Sequence, residues 1–155
     1  MSPTPDTSGV IARPPFLYLG SLGVAVGLDW IFPAPLPEHA LRLPLAVLLA
    51  VAGLGLVAVC FRRFKAAGTH VPTWVPTTAL VVTGPYRFSR NPIYLALTLV
   101  YLGLGIGYGS PWPLVLLAPL LIVMRYGVIG REERYLEGKF GDAYRAYCSS
   151  VRRWI

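Results

Sequence analysis

Charge is what this sequence has least of. Asp, Glu, Lys and Arg make up 14% of its 155 residues, and only 7 residues are acidic. A soluble domain carries roughly a quarter charged residues. Hydrophobic residues reach 55% and the mean hydropathy is +0.58, which excludes an ordinary water-soluble domain and fits a chain whose solvent is a bilayer. Cysteine and histidine are equally scarce. Cys60 and Cys148 are too few for a disulfide framework, and with the isolated His39 and His70 they show no metal-ligand spacing, so no metal site is expected. Residues 152–155 hold no prenylation box. The first fourteen residues lack the basic and apolar regions of a signal peptide, so the first apolar run is expected to be a retained helix.

The net charge of +7 raises nucleic acid as a partner, but the basic residues flank apolar spans instead of building one face. They read as topology signals and contacts to anionic lipid, and no nucleic-acid partner is expected. Phe16 to Phe32 is the first apolar span, interrupted only by Asp29 near its end and closed by Pro33, Pro35 and Pro37. Leu43 to Phe61 is the second, about 28 Å long as a helix, close to the hydrocarbon thickness. Ile93–Tyr108 and Leu114–Ile129 follow, separated by the turn Gly109-Ser110-Pro111-Trp112-Pro113. Both are short for a span, and the sequence leaves open whether each crosses fully.

Between the second and third runs, residues 62–92 contain Arg62, Arg63, Lys65, Arg87 and Arg90, no acid, and Pro72, Pro76, Pro85 and Pro92. A loop of that length in a small domain is read as a lid or binding loop. From Arg131 the chain is polar and amphipathic, with Leu136, Phe140, Tyr144 and Tyr147 at helical spacing; Gly138 and Gly141 are expected to interrupt it. The expected fold is all-α: one domain over 1–155, an integral membrane bundle of about four transmembrane helices. It has a flexible N-terminus (1–15), a cytoplasmic loop (62–92) and a cytoplasmic, partly amphipathic-helical tail (130–155). The basic loop and tail against two nearly uncharged turns place both termini in the cytoplasm, with Trp30 and Trp112 at the outer interface. A plasma (inner) membrane location is expected.

Candidate chemistry gathers at the basic end. In Thr83-Gly84-Pro85-Tyr86-Arg87-Phe88-Ser89-Arg90-Asn91-Pro92-Ile93-Tyr94, Pro92 suits the first position of a helix. Arg87 and Arg90 stand at that helix's positive end, where an anion binds well; two arginines meeting lipid phosphates is the plainer alternative. Glu132-Glu133, rare acids among Arg125, Arg131 and Arg134, could hold an ammonium or sulfonium group, or form exposed ion pairs worth little. Gly53-Leu54-Gly55 admits a close backbone or a flat ligand, or simply tight helix packing. Asp29 and Arg125 are ionisable residues at the margins of apolar runs. Asp29 reads as interfacial, and Arg125 is close enough to Glu132 in sequence to turn toward the same site.

In this order and on this topology, the segments Ala67-Gly68-Thr69, Gly84-Pro85-Tyr86-Arg87, Arg90-Asn91-Pro92-Ile93-Tyr94, Glu132-Glu133 and Phe140-Gly141-Asp142-Ala143-Tyr144 with Tyr147 resemble the isoprenylcysteine carboxyl methyltransferase and phospholipid methyltransferase superfamily. The resemblance runs from about Gly53 to the C-terminus. It implies an S-adenosylmethionine-dependent membrane methyltransferase acting on a lipid-like or membrane-partitioned substrate, by carboxyl or amine methylation. It implies Gly53, Gly55, Tyr86, Arg87, Arg90, Asn91, Pro92, Tyr94, Glu132 and Glu133 around the cofactor, with Arg90, Asn91 and Glu133 catalytic. Asn91 departs from the histidine usual in the prenylcysteine enzymes and is closer to the lipid N-methyltransferases; it keeps hydrogen bonding and gives up a titratable group. Two other classes compete: a non-catalytic assembly or lipid-binding module keeping the fold, and a small transporter, which lacks repeats and midspan polar residues here. Neither the methyl acceptor nor the oligomeric state can be read from the residues.

Overall fold

The computed structural model describes residues 7–69 and 76–155. His70 and Pro72 of the basic loop, and residues 1–6 of the expected flexible N-terminus, lie outside the described residues. Among those described there is helix and no strand: α1 (Pro14–Ile31), α2 (Arg42–Ala66), a 3₁₀ turn (Gly84–Arg87), α3 (Pro92–Tyr108), α4 (Trp112–Val123), a π-helical turn (Met124–Ile129), α5 (Gly130–Phe140) and α6 (Asp142–Ser150). Three stretches are long and apolar enough to cross a membrane: Pro14–Ile31, Arg42–Ala66 and Trp112–Phe140. The 17 residues of α3 make a rod of about 25 Å. It is the central helix, with Tyr94, Ala96, Thr98, Tyr101, Gly103 and Gly105 buried by neighbours. The outer surface stays apolar, with Val47, Leu48, Val51 and Leu54 of α2 each about 60% exposed or more, as lipid-facing side chains must be.

Small residues let the helices meet. A Cβ on Gly53 would lie 2.7 Å from the Ala96 carbonyl oxygen, and one on Gly103 would lie 2.6 Å from that of Ala46. The α2–α3 contact is thus close backbone packing at both ends. On the other side α1 packs against α3 and α4, joined by buried hydroxyls: Tyr18 Oη to Thr98 Oγ1 (2.9 Å) and Ser21 Oγ to Tyr101 Oη (2.9 Å). At one end of the bundle Asp29 accepts from Ser110 Oγ (2.8 Å) and Tyr108 Oη (3.2 Å), and Trp112 Nε1 donates to the Phe32 carbonyl (2.9 Å). Asp29 therefore ties the end of α1 to the α3–α4 turn. Gly109, at φ 85°, closes α3 with the left-handed residue that such a turn needs.

Three boundaries differ from the sequence expectation. Gly138 does not interrupt the tail: α5 runs through it, and only Gly141, at φ 52°, breaks the chain before α6. Second, α2 continues to Ala66, so the loop begins later than residue 62. Over residues 7–15 the expected flexible segment is instead held in place: the Ile11 N–H donates to the Gly127 carbonyl (3.2 Å), and Arg131 Nη1 donates to the Gly9 carbonyl (2.8 Å). Hydrogen bonds across more than a hundred residues leave no trace in local sequence.

Candidate active site

At the opposite end from Asp29, the starts of α1, α3 and α5, the end of α2 and one face of α6 surround a cavity of about 270 Å³, near the lower end of the range for small-molecule sites. One wall is apolar, built by Val57, Phe61 and Phe64 of α2, Leu80 and Val81 of the loop, and Ile93 and Leu97 of α3. The other end is charged and holds Arg90, Glu132 and Glu133.

Each charged side chain is held by a neighbour. Glu132 Oε2 accepts a 2.6 Å bond from the Tyr94 hydroxyl, a donor that brings no counter-charge. Glu133 is gripped by Arg153 through two bonds, Nε to Oε1 (2.8 Å) and Nη2 to Oε2 (2.7 Å), and lies 3.4 Å from Arg90 Nη1. Bidentate contact of this kind both orients and neutralises a carboxylate, and the Glu133 bond is what raises the Arg153 pKa. Arg90 Nη1 also rests on Cys148 Sγ (2.6 Å). Among the described residues, Arg90 Nε is the one buried side-chain polar atom without a partner.

The extended C-terminus is laced to the segment before α3. Arg90 N–H donates to the Arg152 carbonyl (2.9 Å), while Ser89 Oγ (3.3 Å) and Asn91 Nδ2 (3.0 Å) both donate to that of Arg153. Asn91 lines the cavity and precedes Pro92, which starts α3 as its first residue. Tyr147 Oη donates to the Tyr86 carbonyl (2.7 Å), and the Tyr86 ring meets Phe64 edge-on at 5.6 Å. Burial pushes the phenols of Tyr86, Tyr144 and Tyr147 above their usual range, so they stay neutral donors.

Residues 41–143 match the family described as phospholipid methyltransferase. The chain belongs to the phospholipid methyltransferase family. That family falls within the superfamily of membrane methyltransferases that also holds the isoprenylcysteine carboxyl enzymes. The chain is also similar to an uncharacterized protein of Haemophilus influenzae (strain ATCC 51907 / DSM 11121 / KW20 / Rd), with 43% identity over 65 residues that cover 41% of this chain and 100% of that protein. No solved structure matches.

Within the stretch matched to the phospholipid methyltransferases, the structure brings Tyr86, Arg90, Asn91, Tyr94, Glu132 and Glu133 to one cavity. Four other residues singled out in the sequence do not line it. Gly53 is filled by Ala96 and Val100 of α3, Gly55 is exposed, Arg87 is exposed, and Pro92 is buried under the helix start. Arg125 does not reach the cavity; its guanidinium sits 5.8 Å from the Tyr126 ring centre. Adjacent helix positions point about 100° apart, yet Glu132 and Glu133 both line the cavity, one bonded to Tyr94 and the other paired with Arg153 and Arg90. Residues that sequence reasoning missed are Ser8, which lines the cavity, and Arg153 and Cys148, which hold Glu133 and Arg90. All three lie outside residues 41–143, and none carries a local signal. Tyr144 and Tyr147, read from the sequence as part of the amphipathic tail and as family landmarks, both line the cavity.

Proposed function

We propose that this chain is an S-adenosylmethionine-dependent methyltransferase acting on a lipid-like substrate, with the cofactor held at the cytoplasmic face by Arg90, Glu132, Tyr94, Tyr86 and Asn91. The observation that carries this reading is a polar end beside an apolar wall: Arg90, whose buried Nε has no partner, lines the same cavity as a carboxylate whose bonded neighbour is neutral. An amino acid group carries one anion and one cation. The Arg90 guanidinium fits its carboxylate, and Glu132 fits its ammonium. The apolar wall of Phe61, Phe64, Val81 and Leu97 suits a flat ring and excludes water. Bound there, S-adenosylmethionine supplies an electrophilic methyl group on a sulfonium. Methyl transfer by displacement needs alignment and a dry site more than a strong acid or base. What the residues do is orient: Tyr94 fixes the Glu132 carboxylate, and Glu133 with the tail fixes Arg90.

A lipid-like acceptor would come from the side. Phe61 lines the cavity and is 51% exposed on the lipid face of α2. Pro14 and Pro15 at the start of α1 line it too, and α1 packs against α3 and α4 rather than α2. An apolar molecule in the bilayer can thus reach the cavity between α1 and α2. Isothermal titration with S-adenosylhomocysteine is the direct test: saturable one-site binding is expected. No binding would favour the non-catalytic module. Mass spectrometry of lipid extracts made with methyl-labelled cofactor then names the acceptor.

The orientation has its own test. The cavity end carries Arg62, Arg63, Lys65, Arg134, Lys139, Arg145, Arg152 and Arg153, and the positive-inside rule puts it in the cytoplasm with both termini. Glu38→Cys in the exposed α1–α2 turn should label from outside with a membrane-impermeant maleimide, and Ser149→Cys only after lysis. Ser110 is unsuitable because it is buried and bonded to Asp29. Labelling of Glu38→Cys only after lysis would reverse the orientation.

A further inference from the structure

The chain does something at the inner end that the cofactor reading leaves unused. Between α4 and α5 the helix passes through the π turn Met124–Ile129, where the Gly130 N–H reaches back five residues to the Arg125 carbonyl. A π turn is rare and usually sits at a functional site. It inserts one residue into the helix, so everything after it is rotated by roughly 100°. Glu132 and Glu133 stand in the first turn of α5, directly after it. Their directions, toward Tyr94 and toward Arg90, therefore depend on whether the turn keeps its extra residue.

The segment before α1 lies on this turn. Ile11 N–H donates to the Gly127 carbonyl (3.2 Å) inside it, and Arg131 Nη1 donates to the Gly9 carbonyl (2.8 Å) just beyond it. Gly9 stands at φ 57°, a bend that glycine makes at no steric cost. The Ile11 side chain rests directly on Gly127: a Cβ there would come within 2.8 Å of Ile11 Cγ1 and closer still to Cδ1. Gly127, Val128 and Ile129 are all buried beneath. One segment thus bonds both sides of the point where the register shifts, and the lack of a side chain at Gly127 is what lets it approach.

We infer that Gly9–Ile11 is a register clamp, in which Ile11 and Gly127 are positioning residues that keep the π turn and so aim Glu132 and Glu133 into the cavity. A longer side chain at Gly127 lifts the clamp and also favours ordinary helix at that position. The helix then relaxes toward α spacing, Glu133 turns away from Arg153, and the C-terminus loosens. The clamp rests on the proposed cofactor site only for its consequence in binding; its structural effect can be read without any ligand.

The test uses the full chain in detergent, as Gly127→Leu, the double variant Gly127→Leu with Ile11→Ala, and Arg131→Ala. Without ligand, trypsin removal of Trp154–Ile155 after Arg153, followed by intact mass, reports how firmly Glu133 holds the tail. Gly127→Leu should speed this trimming by about tenfold and Arg131→Ala by a few-fold. The double variant should return to within about twofold of the unaltered chain, because Ile11→Ala makes room for the new side chain and lets the strap settle again. Affinity for S-adenosylhomocysteine should fall and recover in the same order. Trimming of Gly127→Leu at the original rate overturns the clamp, and so does a double variant that fails to recover. If Gly127→Leu does not fold, Arg131→Ala decides alone, with an unchanged trimming rate as the overturning result. If trimming follows the expected order but the unaltered chain binds no S-adenosylhomocysteine, the clamp stands and the methyltransferase reading fails.

Discussion

Glu132→Gln is expected to weaken S-adenosylhomocysteine binding by roughly 10- to 150-fold, the loss of one charged hydrogen bond worth ~1.5–3 kcal/mol, with little change in melting temperature. Glutamine keeps the size of the side chain and can still accept from Tyr94, so only the charge offered to an ammonium group is removed. Glu133→Gln should do the reverse. Its carboxylate is committed to Arg153 and Arg90, and its side chain is only 17% exposed. Two arginines would lose their counter-charge, at a cost of about 1–3 kcal/mol for a pair that is partly open to solvent, read as a lower melting temperature. Tyr94→Phe belongs with Glu132: losing the 2.6 Å bond frees the carboxylate to swing and should cost a few-fold in affinity. Isothermal titration and thermal unfolding of the three variants separate the roles. A Glu132→Gln variant that binds as tightly as the unaltered protein would move the ammonium elsewhere.

Arg90→Ala is expected to weaken S-adenosylhomocysteine binding by on the order of a hundredfold, because one side chain serves two purposes. Its Nε is the unpartnered buried donor, and its Nη1 supports Glu133 and Cys148. Removing it takes away the anion's partner and leaves Glu133 with one arginine instead of two. Arg90→Lys should recover part of the binding, since an ammonium keeps the charge but cannot reproduce the planar fork. The discriminating ligand is methylthioadenosine, which has the ring and the sulfur but no amino acid group. It should bind Arg90→Ala and the unaltered protein within about threefold of each other, whereas S-adenosylhomocysteine should lose on the order of a hundredfold. Equal losses for both ligands would mean that Arg90 holds the site's shape and not a carboxylate.

Local chemistry explains which parts of this molecule could be read in advance. A run of apolar residues long enough to span a bilayer has only helix available to it, because no water is there to satisfy the backbone. The four membrane helices, the proline start of α3 at Pro92 and the glycine closure at Gly109 therefore follow from neighbouring residues alone. The clustering of Arg90, Asn91, Tyr94, Glu132 and Glu133 at one end also follows, since each stands at the same end of a span whose direction alternates. Gly53 and Gly55 show the limit: two glycines in an apolar helix look alike in sequence, but one meets Ala96 and Val100 and the other faces outward.

By itself, then, the sequence determined the solvent, the helices and the end of the bundle at which the chemistry gathers. Tertiary structure alone decided which acid is committed and which is available. Glu133 is neutralised by Arg153 and Glu132 is not, because a C-terminal segment folds back on Ser89–Asn91 and an N-terminal one sits on the π turn. Contacts between residues so far apart are chosen by packing and hydrogen-bond satisfaction over the whole bundle, and no window of neighbouring residues contains them.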